Sequence, residues 1–177
     1  AWQIVDGTNT NLRTSVDISK QDITNGNELP GAKLEIRDTD GNLVEGWTST
    51  KTPHTVRGLE LEKEYTLTEK RVPDGYTEAE SIVFKLVQNG TEQVNEVYVK
   101  SNDDWTKLDN ATIIMQDAPV LDIDKTDIAG NLLPGATLTI RDANDEVVDT
   151  WTTDYKTHRI PISDDFLKLS NDSKEYI

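Results

Sequence analysis

The sequence predicts an all-β protein: a β-sandwich of immunoglobulin-like or transthyretin-like architecture, arranged as tandem domains. Three observations predict it. Short runs alternate apolar and polar residues with the period of two that sets strand side chains on opposite faces. Turn-forming pairs separate these runs, and no stretch longer than about ten residues keeps the three-and-four apolar spacing of an amphipathic helix. A long internal repeat then sets a second copy of the pattern behind the first.

Strand candidates fall, in order, at 15–20, 33–38, 43–48, 64–69, 81–87, 93–99 and 111–117. The first alternates through Val16, Ile18 and Lys20, and the second through Leu34 and Ile36. Asp40-Gly41 is a two-residue hairpin signal leading into the third, which ends at Trp47-Thr48. The fourth alternates through Tyr65, Leu67 and Glu69 and stops at the tight turn Pro73-Asp74-Gly75. The fifth and sixth, rich in Val, Ile and aromatic residues, flank the hairpin signal Asn89-Gly90. The seventh alternates through Ile113, Met115 and Asp117. Seven strands at such intervals fit a sandwich.

Composition narrows the function. Apolar residues make up 34% and lie in short runs, which supports a modest core and no membrane-spanning helix. A net charge of -15 repels phosphate, so nucleic acid and anionic membranes are not expected partners. With no cysteine the chain has no disulfide, thiolate metal site or thiol nucleophile, and an extracellular chain of this kind needs another staple. No cofactor or metal site is expected: Asp38-Thr39-Asp40-Gly41-Asn42 opens like a calcium loop but lacks the distal glutamate, and reads as a hairpin turn. Asn89-Gly90-Thr91 fits the glycosylation pattern and reads as a turn. No signal peptide, hydrophobic tail or sorting motif is present, so such signals are expected outside this sequence.

The repeat pairs Val16-Asp17-Ile18-Ser19-Lys20 with Leu121-Asp122-Ile123-Asp124-Lys125, Leu29-Pro30-Gly31-Ala32 with Leu133-Pro134-Gly135-Ala136, and Leu34-Glu35-Ile36-Arg37-Asp38 with Leu138-Thr139-Ile140-Arg141-Asp142. The offset is 105 positions from Lys20 to Lys125 and 104 from Pro30 to Pro134, a domain-sized period. Trp47 and His54 recur as Trp151 and His158, a pattern that packing explains better than catalysis. The expected organisation is 1–14 as a leader or the end of a preceding domain, 15–119 as a complete domain, and 120–177 as the N-terminal part of a second. That second copy carries an insertion around 164–172 and then Lys174-Glu175-Tyr176, which mirrors Lys63-Glu64-Tyr65. The position matching Glu69 falls past Ile177, so Lys125 is the candidate crosslink lysine of a domain whose acidic partners this sequence does not hold.

Three of the strands place an ionisable residue, Lys20, Glu69 or Asp117, on the face that carries their apolar residues. Burying any one alone costs several kcal/mol. The three are therefore expected to meet in one core and there neutralise, share protons or react.

The segments Ile18-Ser19-Lys20-Gln21-Asp22, Leu29-Pro30-Gly31-Ala32, Leu67-Thr68-Glu69 with Val72-Pro73-Asp74-Gly75-Tyr76, and Ala111 to Ala118 resemble the CnaB (SpaA-like) domains of Gram-positive surface adhesins and pilins. That group includes the fibronectin-binding-protein domain split into SpyTag and SpyCatcher. The resemblance covers 15–119 in full and 120–177 in part. It implies an isopeptide bond between Lys20 and Asp117, with Glu69 as the proton shuttle that promotes it. In the second copy only Lys125 carries over. The implied function is a structural stalk module, extracellular and anchored to the cell wall of a Gram-positive bacterium. Its partners would be neighbouring domains of the same surface protein, and it would not be an enzyme beyond this single-turnover crosslink. The alternative is an adhesin module that contacts a host extracellular protein or glycan through loops such as 48–58 or 159–173. A sortase-polymerised pilin is a weaker reading, since no clear Tyr-Pro-Lys or Leu-Pro-x-Thr-Gly motif appears. A Glu/Asp glycosidase pair is weaker still, with a lysine between the acids and no aromatic-lined cleft signature.

Overall fold

The computed structural model describes residues 14–90, 94–142 and 144–162, and divides the chain into two compact units. The first comprises 1–21, 27–73 and 78–117; the second comprises 22–26, 74–77 and 118–177. The insertion at 164–172, the echo at 174–176, the leader and Thr91 lie outside the described residues.

In the first unit the strands are β1 (Ser15–Asp22), β2 (Lys33–Asp38), β3 (Leu43–Thr48), β4 (His54–Arg57), β5 (Tyr65–Arg71), β6 (Ile82–Gln88), β7 (Asn95–Ser101), β8 (Asp104–Lys107) and β9 (Thr112–Asp117). They form a six-stranded sheet in the order β3-β2-β5-β6-β7-β8 and a three-stranded sheet in the order β4-β1-β9. The expected all-β architecture is borne out, and each of the seven expected strands lies within two residues of an observed one. Two more were not anticipated. Strand β4 occupies 54–57, within the stretch read as a loop at 48–58, and pairs antiparallel with β1 through Val16↔Val56 and Ile18↔His54. It buries one side chain, Val56, so four residues leave almost no periodic signal. Strand β8, which buries none, hydrogen-bonds to β7 from Tyr98↔Lys107 to Ser101↔Asp104.

Alternation places the core. Val16 and Ile18 of β1, Leu34 and Ile36 of β2, Tyr65 and Leu67 of β5, Phe84 and Leu86 of β6, and Ile113 and Met115 of β9 are all buried in one cluster between the sheets. Asp38 serves the turn between β2 and β3, where its Oδ1 accepts hydrogen bonds from the backbone N–H groups of Asp40 and Asn42 while Gly41 takes φ +82°.

The second unit contains β10 (Val120–Ile123), β11 (Thr137–Arg141), β12 (Val147–Thr152) and β13 (His158–Pro161), paired as β10-β13 and β11-β12. Its contacts repeat those of the first. Leu138↔Trp151 matches Leu34↔Trp47, and the register shifts after Ile140 as it does after Ile36. Thr153 Oγ1 donates to Leu133 O at 2.7 Å, as Ser49 Oγ does to Leu29 O at 2.7 Å. Each tryptophan stacks on its histidine, with ring centroids 4.4 Å apart for Trp47 and His54 and 4.0 Å for Trp151 and His158. Each histidine Nε2 is bonded to a carboxylate, Glu45 Oε1 at 2.6 Å and Asp149 Oδ2 at 2.7 Å.

Candidate crosslink site

Strand periodicity delivers the three expected residues to one place. Val16 and Ile18 bury one face of β1, so Lys20 points the same way; Glu69 follows Tyr65 and Leu67 on β5, and Asp117 follows Ile113 and Met115 on β9. Their exposures are 1%, 2% and 0%. Asp17 N donates to Ala111 O near one end of the β1/β9 pair, while Gln116 Nε2 donates to Gln21 Oε1 and Lys20 meets Asp117 near the other. Contacts that climb together along both strands mean that β1 and β9 run in the same direction. Lys20 and Asp117 thus come together at the end of both strands although 97 positions separate them.

Lys20 Nζ donates to Asp117 Oδ1 and lies 3.2 Å from Glu69 Oε1. The other glutamate oxygen, Oε2, accepts the backbone N–H of Ala79 at 3.0 Å. That bond fixes the carboxyl plane and leaves Oε1 facing the lysine and the aspartate. Glu69 Oε1 and Asp117 Oδ2 are buried without a hydrogen-bond partner among the described residues. Burial pushes the Glu69 carboxyl above its ordinary value of 4.5; the Ala79 N–H and the Lys20 charge oppose this, and the Asp117 charge adds to it. A glutamate that holds its proton here can donate it from Oε1, the oxygen that faces Lys20 and Asp117.

The sequence does not reveal the Ala79 N–H, because the donor is backbone and any non-proline residue supplies it. The loop before it was legible as a turn and as part of the family resemblance, but not as the source of this donor. Within the second unit Tyr76 Oη donates to Asp22 Oδ2 at 2.7 Å, and Asp22 also accepts the N–H and hydroxyl of Thr24. Lys125 is exposed, and its carbonyl accepts the N–H of Leu133 as the Lys20 carbonyl accepts that of Leu29. Among the described residues no carboxylate forms an ion pair with it.

The sequence profile of the SpaA prealbumin-like fold domain matches residues 14–112, more than half of the chain. A search of the curated proteins finds none that matches. Among solved structures the chain is similar to the Bacillus anthracis TIE protein, at 26% identity over 85% of this chain and 27% of that one, with a TM-score of 0.43. It is also similar to a C-terminal fragment of the pilus adhesin SpaC from Lactobacillus rhamnosus GG, at 24% identity over 64% and 47% of the two chains, TM-score 0.47. The shaft pilin SpaA of the same organism is 17% identical over 60% and 46%, TM-score 0.42. The chain spans less than half the length of each of these structures. With β-sandwich strands in the expected places and the profile matched across them, the chain belongs to the SpaA family of prealbumin-like fold domains.

Proposed function

We propose that this chain is a structural stalk module of a Gram-positive surface adhesin or pilin, held closed by a self-formed isopeptide bond between Lys20 and Asp117. The observation that carries this reading is the meeting of one amine and two carboxyls, none more than 2% exposed, at the end of the first and last strands of a sheet. Three such groups are expensive to bury. Condensation removes two of the charges permanently.

Lys20 first gives one ammonium proton to the Asp117 carboxylate; the amine then attacks Asp117 Cγ, and the C–N bond forms as the carbonyl π electrons move to oxygen. The proton on Glu69 Oε1 stabilises that oxygen, and Glu69 then passes protons between nitrogen and the departing hydroxyl. The C–O bond breaks, one water leaves, and Glu69 ends in its starting state. Positioning supplies much of the rate, since oriented intramolecular pairs react at effective concentrations on the order of 10⁵ M or more. Each chain does this once, which makes Glu69 a promoter of crosslinking and not the centre of an enzymatic cycle.

In this reading 15–119 is one complete domain, 120–177 begins a second with Lys125 at the Lys20 position, and the protein stands outside the cell, anchored to the wall and stacked on neighbouring domains. One feature of the described surface favours a spacer: of its large exposed apolar residues, none falls in 48–58, one of the two loops, with 159–173, where the adhesin alternative expects its contact. That alternative, binding of a host protein or glycan, draws its support instead from a cleft of about 520 Å³ bounded by Ile82, Val99, Leu108 and Ile114. The test of the crosslink is denaturing electrophoresis and intact mass of the wild type beside Lys20→Ala, Glu69→Ala and Asp117→Ala. The wild type is expected to run as a compact looped chain lighter by one water, and each variant as a linear chain of full mass. A wild type that migrates with the variants rejects the bond.

A further inference from the structure

A second, smaller cavity of about 140 Å³ lies in the first unit, where β3 and the loop after it face β1 and β4, and Lys20 forms part of its wall. Its remaining lining is mostly hydrophilic, with Glu28, Thr50 and Thr52 contributing, and the stacked rings of Trp47 and His54 border it. The larger cleft between β6, β7 and β9 touches none of Lys20, Glu69 and Asp117. The hydrophilic cavity therefore touches Lys20, the residue that carries the reacting amine, and the apolar cleft touches none of the three.

This placement meets a need that the crosslinking step creates. Joining Lys20 Nζ to Asp117 Cγ expels one water into a site whose three side chains have almost no solvent contact. A water retained beside the new amide is the co-reactant of its hydrolysis, so its departure makes the step one-way. A polar cavity larger than about 10–15 Å³ can hold a water, and this one far exceeds that size.

We propose that this cavity is the solvent port of the crosslink site, the route by which the expelled water leaves and by which solvent protons exchange with the isopeptide N–H. The proposal depends on the crosslink reading above. The full chain, labelled with ¹⁵N-lysine, is followed in two ways: intact mass after timed quenching of freshly translated protein, and hydrogen–deuterium exchange of the isopeptide N–H by NMR. Thr50→Trp places a large ring at the mouth; Thr52→Trp is a second plug should the first fail to fold, and Ile114→Trp puts the same ring at the other cleft. Both plugs are expected to slow exchange and bond formation by about tenfold or more, while Ile114→Trp leaves both at wild-type rates. A folded plug variant that exchanges and crosslinks like the wild type, while the wild type itself loses its water, overturns the port alone. A wild type of full mass overturns the crosslink reading and the port with it.

Discussion

At the scale of single residues the account turns on Glu69. Its carboxyl is buried, fixed by the Ala79 N–H through Oε2, and directed at Lys20 and Asp117 through Oε1. Glu69→Gln keeps the shape and the Ala79 hydrogen bond but has no acidic proton to exchange. General acid–base help is worth roughly 10²–10⁴-fold, and the variant is expected to crosslink more slowly by a factor in that range, read from the fraction of freshly translated chains that have lost water. The pH dependence has a defined sign. Burial raises the Glu69 value in the folded chain above the ordinary 4.5. The stability linked to its proton is thus fully present below 4.5 and is lost as pH rises through the folded value. In the proposed mechanism bond formation draws on the same proton, so its rate is expected to fall as pH rises through that range. A pulse of newly made protein chased into buffers of increasing pH measures this, and a rate that only climbs would show that Glu69 acts ionised.

At the scale of elements, the seven strands read from alternation are there because each buries two or more inward side chains or pairs with one that does. The period that puts Leu67 at 0% exposure also aims Glu69 at the core. The site was legible for that reason: its residues end strands whose earlier members announce the buried face. What stayed hidden had no periodic signature. Strand β4 offers Val56 alone, β8 buries nothing, and the Ala79 donor belongs to the backbone. The Trp47–His54 stack was legible as packing from its recurrence at Trp151 and His158, but sequence alone did not show that it borders a cavity reaching Lys20. Leu67→Ala removes a side chain at the centre of the core cluster and is expected to cost about 2–5 kcal/mol. Denaturant unfolding in the Glu69→Gln background, taken before bonded chains accumulate, separates that loss from the crosslink. A loss below about 1 kcal/mol would mean that the sandwich collapses around the gap.

At the scale of the whole molecule, the proposed bond would tie the 97 positions that separate Lys20 from Asp117 into one loop. By analogy with disulfide loop closure this would be worth about 4–5 kcal/mol, and reductant would not remove it. Mechanics follows from the same topology. With the proposed bond in place, tension entering through β1 would reach Lys20 and cross to Asp117 at the end of β9, so that the segment between them would carry no load. Single-molecule pulling on the termini is expected to miss the roughly 320–350 Å that 97 extended residues would release, whereas Lys20→Ala is expected to show it. The most direct test of the central claim is intact-mass measurement of the wild-type chain with peptide mapping. The account predicts a mass short by one water and a single branched peptide joining Lys20 to Asp117. A mass equal to that of the linear sequence, with both residues recovered in unbranched peptides, would contradict it.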